Sequence, residues 1–128
     1  MAVIHKFLGN VKHIDYQWDG IMPQPSPETS AAKFTKFVLL GPDDGMQNFV
    51  IRYFQLPVGG ASPLHEHAHE HGIVVVHGKG SLRINESFYD VSALDAVFIP
   101  GNELHQIRNT GDEPFGFFCT IMRSAEYT

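Results

Sequence analysis

The sequence predicts an all-β protein folded as a single domain, and three observations carry the prediction. Apolar runs rich in β-branched and aromatic residues recur about every eight to twelve residues, and Gly, Pro, Asn and Asp separate them. No segment has the apolar spacing of three and four residues that is typical of a helix. Strands joined by tight turns without helical crossovers indicate an antiparallel sandwich or barrel.

Length, composition and charge narrow the class of protein. The chain has 128 residues, the size of one ordinary domain, and its 43% hydrophobic and 18% charged residues are typical of a folded core. Its net charge is −5 and its nine Lys and Arg are scattered, so we expect no nucleic-acid partner. A single cysteine, no signal peptide and no long apolar stretch predict a cytoplasmic protein that does not enter a membrane.

The N-terminal part is predicted to lie outside the barrel. Residues 18–30 include three prolines within five residues and predict an extended connector, with a short helix over residues 28–33 as the alternative. We therefore divide the chain into residues 1–33, an N-terminal extension with an extra strand and connector, and residues 34–128, the barrel.

The strands of the barrel follow in order along the rest of the chain. Turns rich in Gly, Pro, Asn and Asp separate them, at residues 41–45, 85–87 and 110–114. The predicted strands cover residues 33–40, 48–56, 73–78, 79–84, 88–93, 96–101, 105–109 and 115–122.

Four histidines, His65, His67, His69 and His71, lie within one run of seven residues. A fully extended strand would place the outer two roughly 20 Å apart, because each residue advances the chain about 3.3 Å. Since a metal–nitrogen bond is about 2.1 Å long, one metal can bind both only if the chain bends inside the run. We therefore predict His65 and His67 as a pair on one strand, His71 at the start of the next, and His69 turned away at the bend.

A fourth ligand is expected from a distant part of the chain. His105 is the best candidate because it follows a tight turn and opens a predicted strand. His5, His13 and His77 are expected to be ordinary surface or edge histidines. The alternative to a metal site is a solvent-exposed chelating tract similar to a purification tag.

At these histidines the sequence resembles the cupin superfamily. The first cupin motif runs Gly, five residues, His-x-His, three or four residues, Glu, six residues, Gly. Here Gly59, His65, His67, His71 and Gly78 keep that spacing, with His71 in the place of the glutamate.

The second cupin motif runs Gly, five residues, Pro-x-Gly, two residues, His, three residues, Asn. Pro100, His105 and Asn109 are in register, while Leu94 and Asn102 occupy the glycine positions. Asn tolerates a positive φ angle, so we expect the turn geometry and the fold to be kept.

The resemblance covers about residues 34–122 and implies a jelly-roll β-barrel with the metal inside, usually as a homodimer. With histidine in the place of glutamate, the chain is similar to the four-histidine monocupins, whose metal is commonly manganese. Iron ranks next, and zinc, nickel or copper would also accept imidazole ligands. The implied ligand set is His65, His67, His71 and His105.

Five further residues are predicted to line the pocket beside the metal. Arg52 and Cys119 match an arginine thirteen residues before the first ligand and a cysteine fourteen after the last in similar cupins. Strand alternation places Phe54 on the face of Arg52, Phe117 on the face of Cys119, and Ile107 on the face of His105. Arg52 is interpreted as an anion anchor or pocket wall, with a solvent-facing arginine as the alternative, and Cys119 as pocket lining rather than a nucleophile.

These residues predict a function at a metal ion. Four neutral imidazoles would leave a divalent ion with a charge near +2 and, in octahedral geometry, about two open positions. We expect a metal-dependent oxidoreductase, of dioxygenase or peroxide-using type, that acts on a small organic substrate. The alternatives are a non-redox metal-dependent isomerase or lyase, and a non-catalytic domain that binds a small ligand.

Overall fold

The computed structural model describes residues 1–127, and within them the chain forms nine strands and three short 3-10 helices. No helix in this range is long and apolar enough to cross a membrane. The helices are Val11–His13, Pro42–Asp44 and Arg123–Tyr127. The strands are β1 (Gln24–Pro25), β2 (Thr35–Leu40), β3 (Phe49–Leu56), β4 (His71–His77), β5 (Lys79–Ile84), β6 (Ser87–Ser92), β7 (Ala96–Ile99), β8 (His105–Asn109) and β9 (Phe115–Met122).

The strands form two antiparallel sheets that face each other. The larger has the order β1-β2-β3-β9-β4-β7 and the smaller the order β6-β5-β8. The core between them contains Val50, Leu56 and Phe115 from the larger sheet and Leu82 and Ile107 from the smaller. This arrangement confirms the predicted all-β, antiparallel fold class.

The larger sheet is apolar on its outer face as well. There Tyr53 is fully buried and packs with Tyr16 and Phe37 in a second cluster. Tyr16 belongs to the N-terminal segment, in which Phe7 pairs with Trp18 around the first 3-10 helix. The N-terminal segment therefore lies on the outside of its own domain. The domain boundary at residues 33/34 stays a prediction. The last residue of the predicted barrel domain, Thr128, lies outside the described residues.

The helix considered over residues 28–33 is wrong. The Ser30 N–H donates to the Pro27 carbonyl at 3.0 Å, and the Ser30 hydroxyl accepts from the Ala32 N–H at 3.1 Å. Local side-chain hydrogen bonds of this kind hold the backbone in a turn and compete with helix formation.

Two turns keep the geometry that glycine would provide. Leu94 has a φ of 73° and Asn102 a φ of 64°, both in the left-handed region. These are the two positions at which the second cupin motif has glycine. The backbone therefore follows the motif even though neither side chain is a glycine, and the leucine adopts a conformation that is uncommon for it.

Candidate metal centre

The histidine run bends, as predicted. His65 forms an isolated bridge with His105, through backbone hydrogen bonds of 3.0 and 2.8 Å, and the chain then bends at residues 68–69 before β4 begins at His71. The expectation that His65 and His67 share one strand is wrong, because His67 lies in the loop beyond the bridge. The bend nevertheless brings the two ends of the run toward each other.

The loop before β8 packs closely against this bend. The Asn102 N–H donates to the His67 carbonyl at 2.7 Å. A Cβ atom at Gly101 would collide with the Ala68 carbonyl oxygen, so a glycine is required where the two loops meet. This contact joins the histidine run to the loop that leads into His105.

Five imidazole rings gather at this junction, with His67 at their centre. Its ring centroid lies 5.8 Å from that of His65, 3.7 Å from His69, 4.9 Å from His71 and 4.8 Å from His105. The centroids of His71 and His105 are 5.1 Å apart. The structure thus brings His105 next to the run, as the metal hypothesis requires.

The prediction that His69 turns away is wrong. Its ring stacks on that of His67 with an angle of 8° between the planes, and one ring nitrogen each of His67, His69 and His71 lie within 4.8 Å of one another. The bend at residues 68–69 folds this side chain back over its neighbour instead of turning it outward. Sequence alternation could not reveal this, because it holds only for extended backbone.

Two of the rings have a fixed tautomer. The Nδ1 atom of His67 lies 3.2 Å from the His69 carbonyl oxygen, and that of His105 lies 2.8 Å from the Glu103 carbonyl oxygen. A carbonyl oxygen only accepts, so each Nδ1 must carry the proton. In the neutral rings each Nε2 therefore has a free lone pair, the arrangement common in metal-binding histidines.

His71 is the third member and faces the other two. Its Nε2 lies 3.2 Å from the Nε2 of His67, and its Nδ1 lies 3.1 Å from the Sγ of Cys119. Without a metal, a proton on the Nε2 of His71 can be donated to His67. A metal bound to both Nε2 atoms requires the His71 proton on Nδ1, where the sulfur can accept it.

The spacing of the two Nε2 atoms suits a divalent transition metal. Two ligands about 2.1 Å from one ion and 3.2 Å from each other subtend an angle of about 100° at the ion, between octahedral and tetrahedral values. Imidazole nitrogen is a ligand that manganese, iron, zinc, nickel and copper all accept. The donor set therefore fits such an ion without choosing among them.

The charge state of the cluster favours metal binding. Burial, together with the nearby His105 and Arg52, lowers the pKa of His71 to about 3. Burial is also the largest cause that lowers the pKa values of His65, His69 and His105. These rings are accordingly neutral at pH 7, which is the form that binds metals.

A cavity of about 710 Å³ opens beside the cluster. Its walls include all four predicted ligands, His65, His67, His71 and His105, as well as the five residues predicted for the pocket, Arg52, Phe54, Ile107, Phe117 and Cys119. Arg52 therefore points into the cavity, and the alternative of a solvent-facing arginine does not hold. Its Nη2 donates to the Cys119 Sγ at 3.2 Å.

Other parts of the wall were not predicted from the sequence. Lys36 on β2 and the stretch from Gln24 to Pro27 also line the cavity. Lys36 is opposite Phe54 in the strand register, so the two side chains share the inner face of the sheet. The stretch could not be found in that way, because β1 has only two residues.

The remaining histidines lie away from the cluster. His13 is exposed, and His5 contacts Asp44 through its Nε2 at 2.7 Å. His77 is half-buried, with Tyr53 and Pro114 as hydrogen-bond partners. The expectation of an ordinary surface or edge residue thus understates the packing of His77.

Comparison with known proteins agrees with the geometry. Residues 52–121 match the cupin domain family. The chain is 34% identical over 109 residues to 1-methylthio-D-xylulose 5-phosphate methylsulfurylase of Rhodospirillum rubrum, an alignment that covers 83% of this chain and 69% of that protein.

Solved structures give the same answer. A cupin-2 domain protein of Rhodospirillum rubrum is 33% identical with a TM-score of 0.78, covering 84% of this chain and 73% of that one. The polyketide cyclase RemF of Streptomyces resistomycificus is 26% identical with a TM-score of 0.73, covering 80% and 74%. The resemblance seen in the two motifs is thereby confirmed, and the chain belongs to the cupin family.

Proposed function

We propose that the protein binds one divalent transition-metal ion and uses it in an oxidoreductase reaction, of dioxygenase or peroxide-using type, on a small organic substrate. His67, His71 and His105 would hold the ion through their Nε2 atoms, with His65 as the fourth ligand. Manganese is the first choice and iron the second. When bound, such an ion would supply a Lewis acid and one-electron chemistry.

The observation that carries the proposal is the pair of Nε2 atoms, of His67 and His71, that face each other at 3.2 Å in the wall of a cavity. A hydrogen bond alone would explain one pair of rings. It would not explain a third ring, His105, whose Nδ1 proton is also committed to a backbone carbonyl. Three rings from two distant parts of the chain, each with its Nδ1 beside a protein atom, favour a common cation.

The protein's own residues would prepare the site for a substrate. The backbone carbonyls at His69 and Glu103 orient two of the imidazoles, and the thiol of Cys119 orients the third. The rings of Phe54 and Phe117 stack at 5.4 Å and give the cavity an apolar wall that excludes water from the bound substrate.

A second candidate is a non-redox reaction at the same metal, such as that of an isomerase or lyase. A specific observation favours it, namely that RemF, with a similar fold and 26% identity, is a polyketide cyclase. In this case the metal would only polarise an oxygen of the substrate. A third reading, a non-catalytic domain that binds a small ligand, requires the metal site but no turnover.

Metal analysis of the purified protein tests the proposal first. We expect about one transition-metal ion per chain, bound at the histidines. Substrate panels of enols, diketones, phenols and alkenes then separate the reactions. Oxygen or peroxide consumption that tracks product supports the oxidoreductase, whereas equal turnover without either supports the second candidate. A protein that binds no divalent transition metal would contradict both.

We further propose that the protein is a cytoplasmic homodimer. Its binding partner, apart from its own second copy, would be a small-molecule substrate. The homodimer follows from the cupin resemblance, with the N-terminal segment as a candidate for exchange between subunits. Light scattering coupled to size-exclusion chromatography checks the mass of the particle. A monomer at micromolar concentration would contradict this proposal and leave the metal proposal unaffected.

A further inference from the structure

The wall of the cavity beside the histidines carries two positively charged side chains. Among its described lining residues, two side chains, Lys36 and Arg52, carry a positive charge at pH 7, and one, the exposed Glu66, carries a negative charge. A divalent ion at the histidines would add to the positive side. A cavity with apolar walls strengthens the field of such charges, because little water screens them.

The two cations lie on neighbouring strands of the inner face. In the register of β2 and β3, Lys36 is opposite Phe54 and Val38 is opposite Arg52. The two basic residues are therefore diagonal neighbours on one face, a separation that long side chains span. Both can contact a single small anion between them.

Arg52 is held in a defined position. Its guanidinium carbon lies 4.9 Å from the ring centroid of Phe54, and its Nη2 donates to Cys119 at 3.2 Å. The aromatic ring and the hydrogen bond restrain the guanidinium, whose fork geometry matches a carboxylate or phosphate.

The remainder of the wall suits a flat apolar body. Phe54 stacks on Phe117 with an angle of 16° between the planes, and Phe34 lies 5.9 Å from Phe54. Ile73 and Ile107 line the same cavity. Pockets with mostly apolar walls and a few fixed polar groups bind ligands that combine a hydrophobic body with one polar handle.

We infer that the cavity binds a small organic oxyanion with an apolar, ring-sized body. The oxyanion, a carboxylate or phosphate, lies between Arg52 and Lys36, and the rest of the molecule lies along the phenylalanines. The evidence for this binding site consists of Lys36, Arg52 and the aromatic wall, and does not depend on a metal. That its ligand is the substrate rests on the proposed function.

Binding of matched probes tests the inference. Calorimetric titrations use 3-phenylpropanoate, its neutral amide, propanoate and phenyl phosphate, with protein as purified and after chelation of metals. We expect the two ring-bearing anions to bind, and the amide and propanoate to bind about tenfold more weakly or worse, since each lacks one part of the recognition. The ratio of phenylpropanoate to phenyl phosphate shows which oxyanion is preferred.

Charge-removing variants locate the site. Lys36→Gln and Arg52→Gln should each weaken binding of the ring-bearing anions about tenfold, and Arg52→Lys should weaken it less because it keeps the charge. Arg108→Gln is the matched control, because Arg108 on β8 is exposed and does not line the cavity. Circular dichroism confirms the fold of each variant, and Lys36→Gln keeps the test valid if Arg52→Gln does not fold.

The outcomes separate this inference from the proposed function. Equal affinity for anion and amide, or unchanged binding in both charge-removing variants, overturns the inference even if the protein binds a metal. Anion binding that depends on Lys36 or Arg52 in the chelated protein supports it even if no metal is found. Anion binding that requires metal and is indifferent to both residues also overturns it.

Discussion

His71 and His77 stand at opposite ends of β4, and only one of them belongs to the candidate metal centre. Both nitrogens of His77 have protein partners, because its Nδ1 donates to the Pro114 carbonyl at 2.8 Å and its Nε2 lies 2.9 Å from the Tyr53 hydroxyl oxygen. The Nε2 of His71 instead faces another Nε2. Burial alone therefore does not distinguish a structural histidine from a ligand, whereas the partners of its two nitrogens do.

A bulge in β4 sends the two histidines to opposite faces of the sheet. Val75 is opposite Phe117 and His77 is opposite Gly116, so two steps along β4 match one step along β9. Without the extra residue, His77 would share the inner face with His71 and Val75. A Cβ atom at Gly116 would also run into the His77 Nε2, so this glycine makes room for the ring.

The largest effect is expected on metal affinity when His71, at the start of β4, is substituted. His71→Ala should lower metal affinity at least about a hundredfold, since loss of an orienting partner alone costs 10- to 100-fold. His77→Ala should leave the stoichiometry unchanged, because its nitrogens are bound to protein atoms on the other face. Metal analysis and competition with a chelator measure both variants.

Folding of the two variants is checked by circular dichroism before metal is measured. Loss of metal in folded His77→Ala, or retention of wild-type affinity in folded His71→Ala, would contradict the assignment of His71 as a metal ligand and of His77 as a structural residue.

The next largest effect is expected in the pH dependence of the stability of the metal-free protein. The pKa of His71 is lowered to about 3 in the folded state, whereas an unfolded chain titrates near 6.5. The folded state then binds fewer protons, so stability is complete above pH 6.5 and is lost as the pH falls toward 3. For one proton the slope approaches about 1.4 kcal/mol per pH unit. Urea unfolding between pH 7 and 4.5 measures it, with His71→Leu as the comparison; parallel curves for the two proteins would be the contrary result.

Substitution of His77, at the end of β4, should lower stability and leave metal binding unchanged. His77→Leu removes the donor to the Pro114 carbonyl and a hydrogen-bond partner of the Tyr53 hydroxyl, which should lower the free energy of unfolding by about 1–3 kcal/mol. A double-mutant cycle with Tyr53→Phe isolates the hydrogen bond between the two side chains. Additive effects of the two substitutions would show that this bond contributes nothing.

Much of the candidate site could be predicted because it depends on where strands begin. His71 and His105 each open a strand after a turn, and turn residues are visible in a sequence. The spacing of the two motifs also predicted the cupin family. Leu94 and Asn102 keep the turn geometry of the second motif although neither is a glycine.

What escaped prediction depends on backbone that is not regular. The position of His69 depends on a bend and that of His77 on a bulge, and either one breaks the two-residue alternation from which side-chain direction is read. Lys36 escaped for a different reason. Its place in the cavity follows from the register between two strands, which a single strand does not reveal.

Cys119 tests whether the sulfur beside His71 matters for the metal. Cys119→Ala removes the atom that lies 3.1 Å from the Nδ1 of His71 and should weaken metal binding about tenfold, because the ring loses its orienting partner. Cys119→Ser keeps a hydrogen-bonding atom and should remain closer to the wild type. Equal affinities for all three proteins, measured by chelator competition, would show that packing alone orients the ring.

The smallest effect is expected at His5, on the outer side of the molecule. Its hydrogen bond to Asp44 is the largest cause that raises the pKa of His5, the opposite sign to His71. The stabilisation is therefore present below pH 6.5 and is lost as the pH rises above that value. Because the pair lies near the surface, salt should weaken it further. Thermal unfolding of the wild type and His5→Gln at pH 5.5 and 8.5, in low salt, should show the larger difference at pH 5.5. A larger difference at pH 8.5 would reverse the sign and remove the contrast between a histidine whose charged form the fold favours and one whose neutral form it favours.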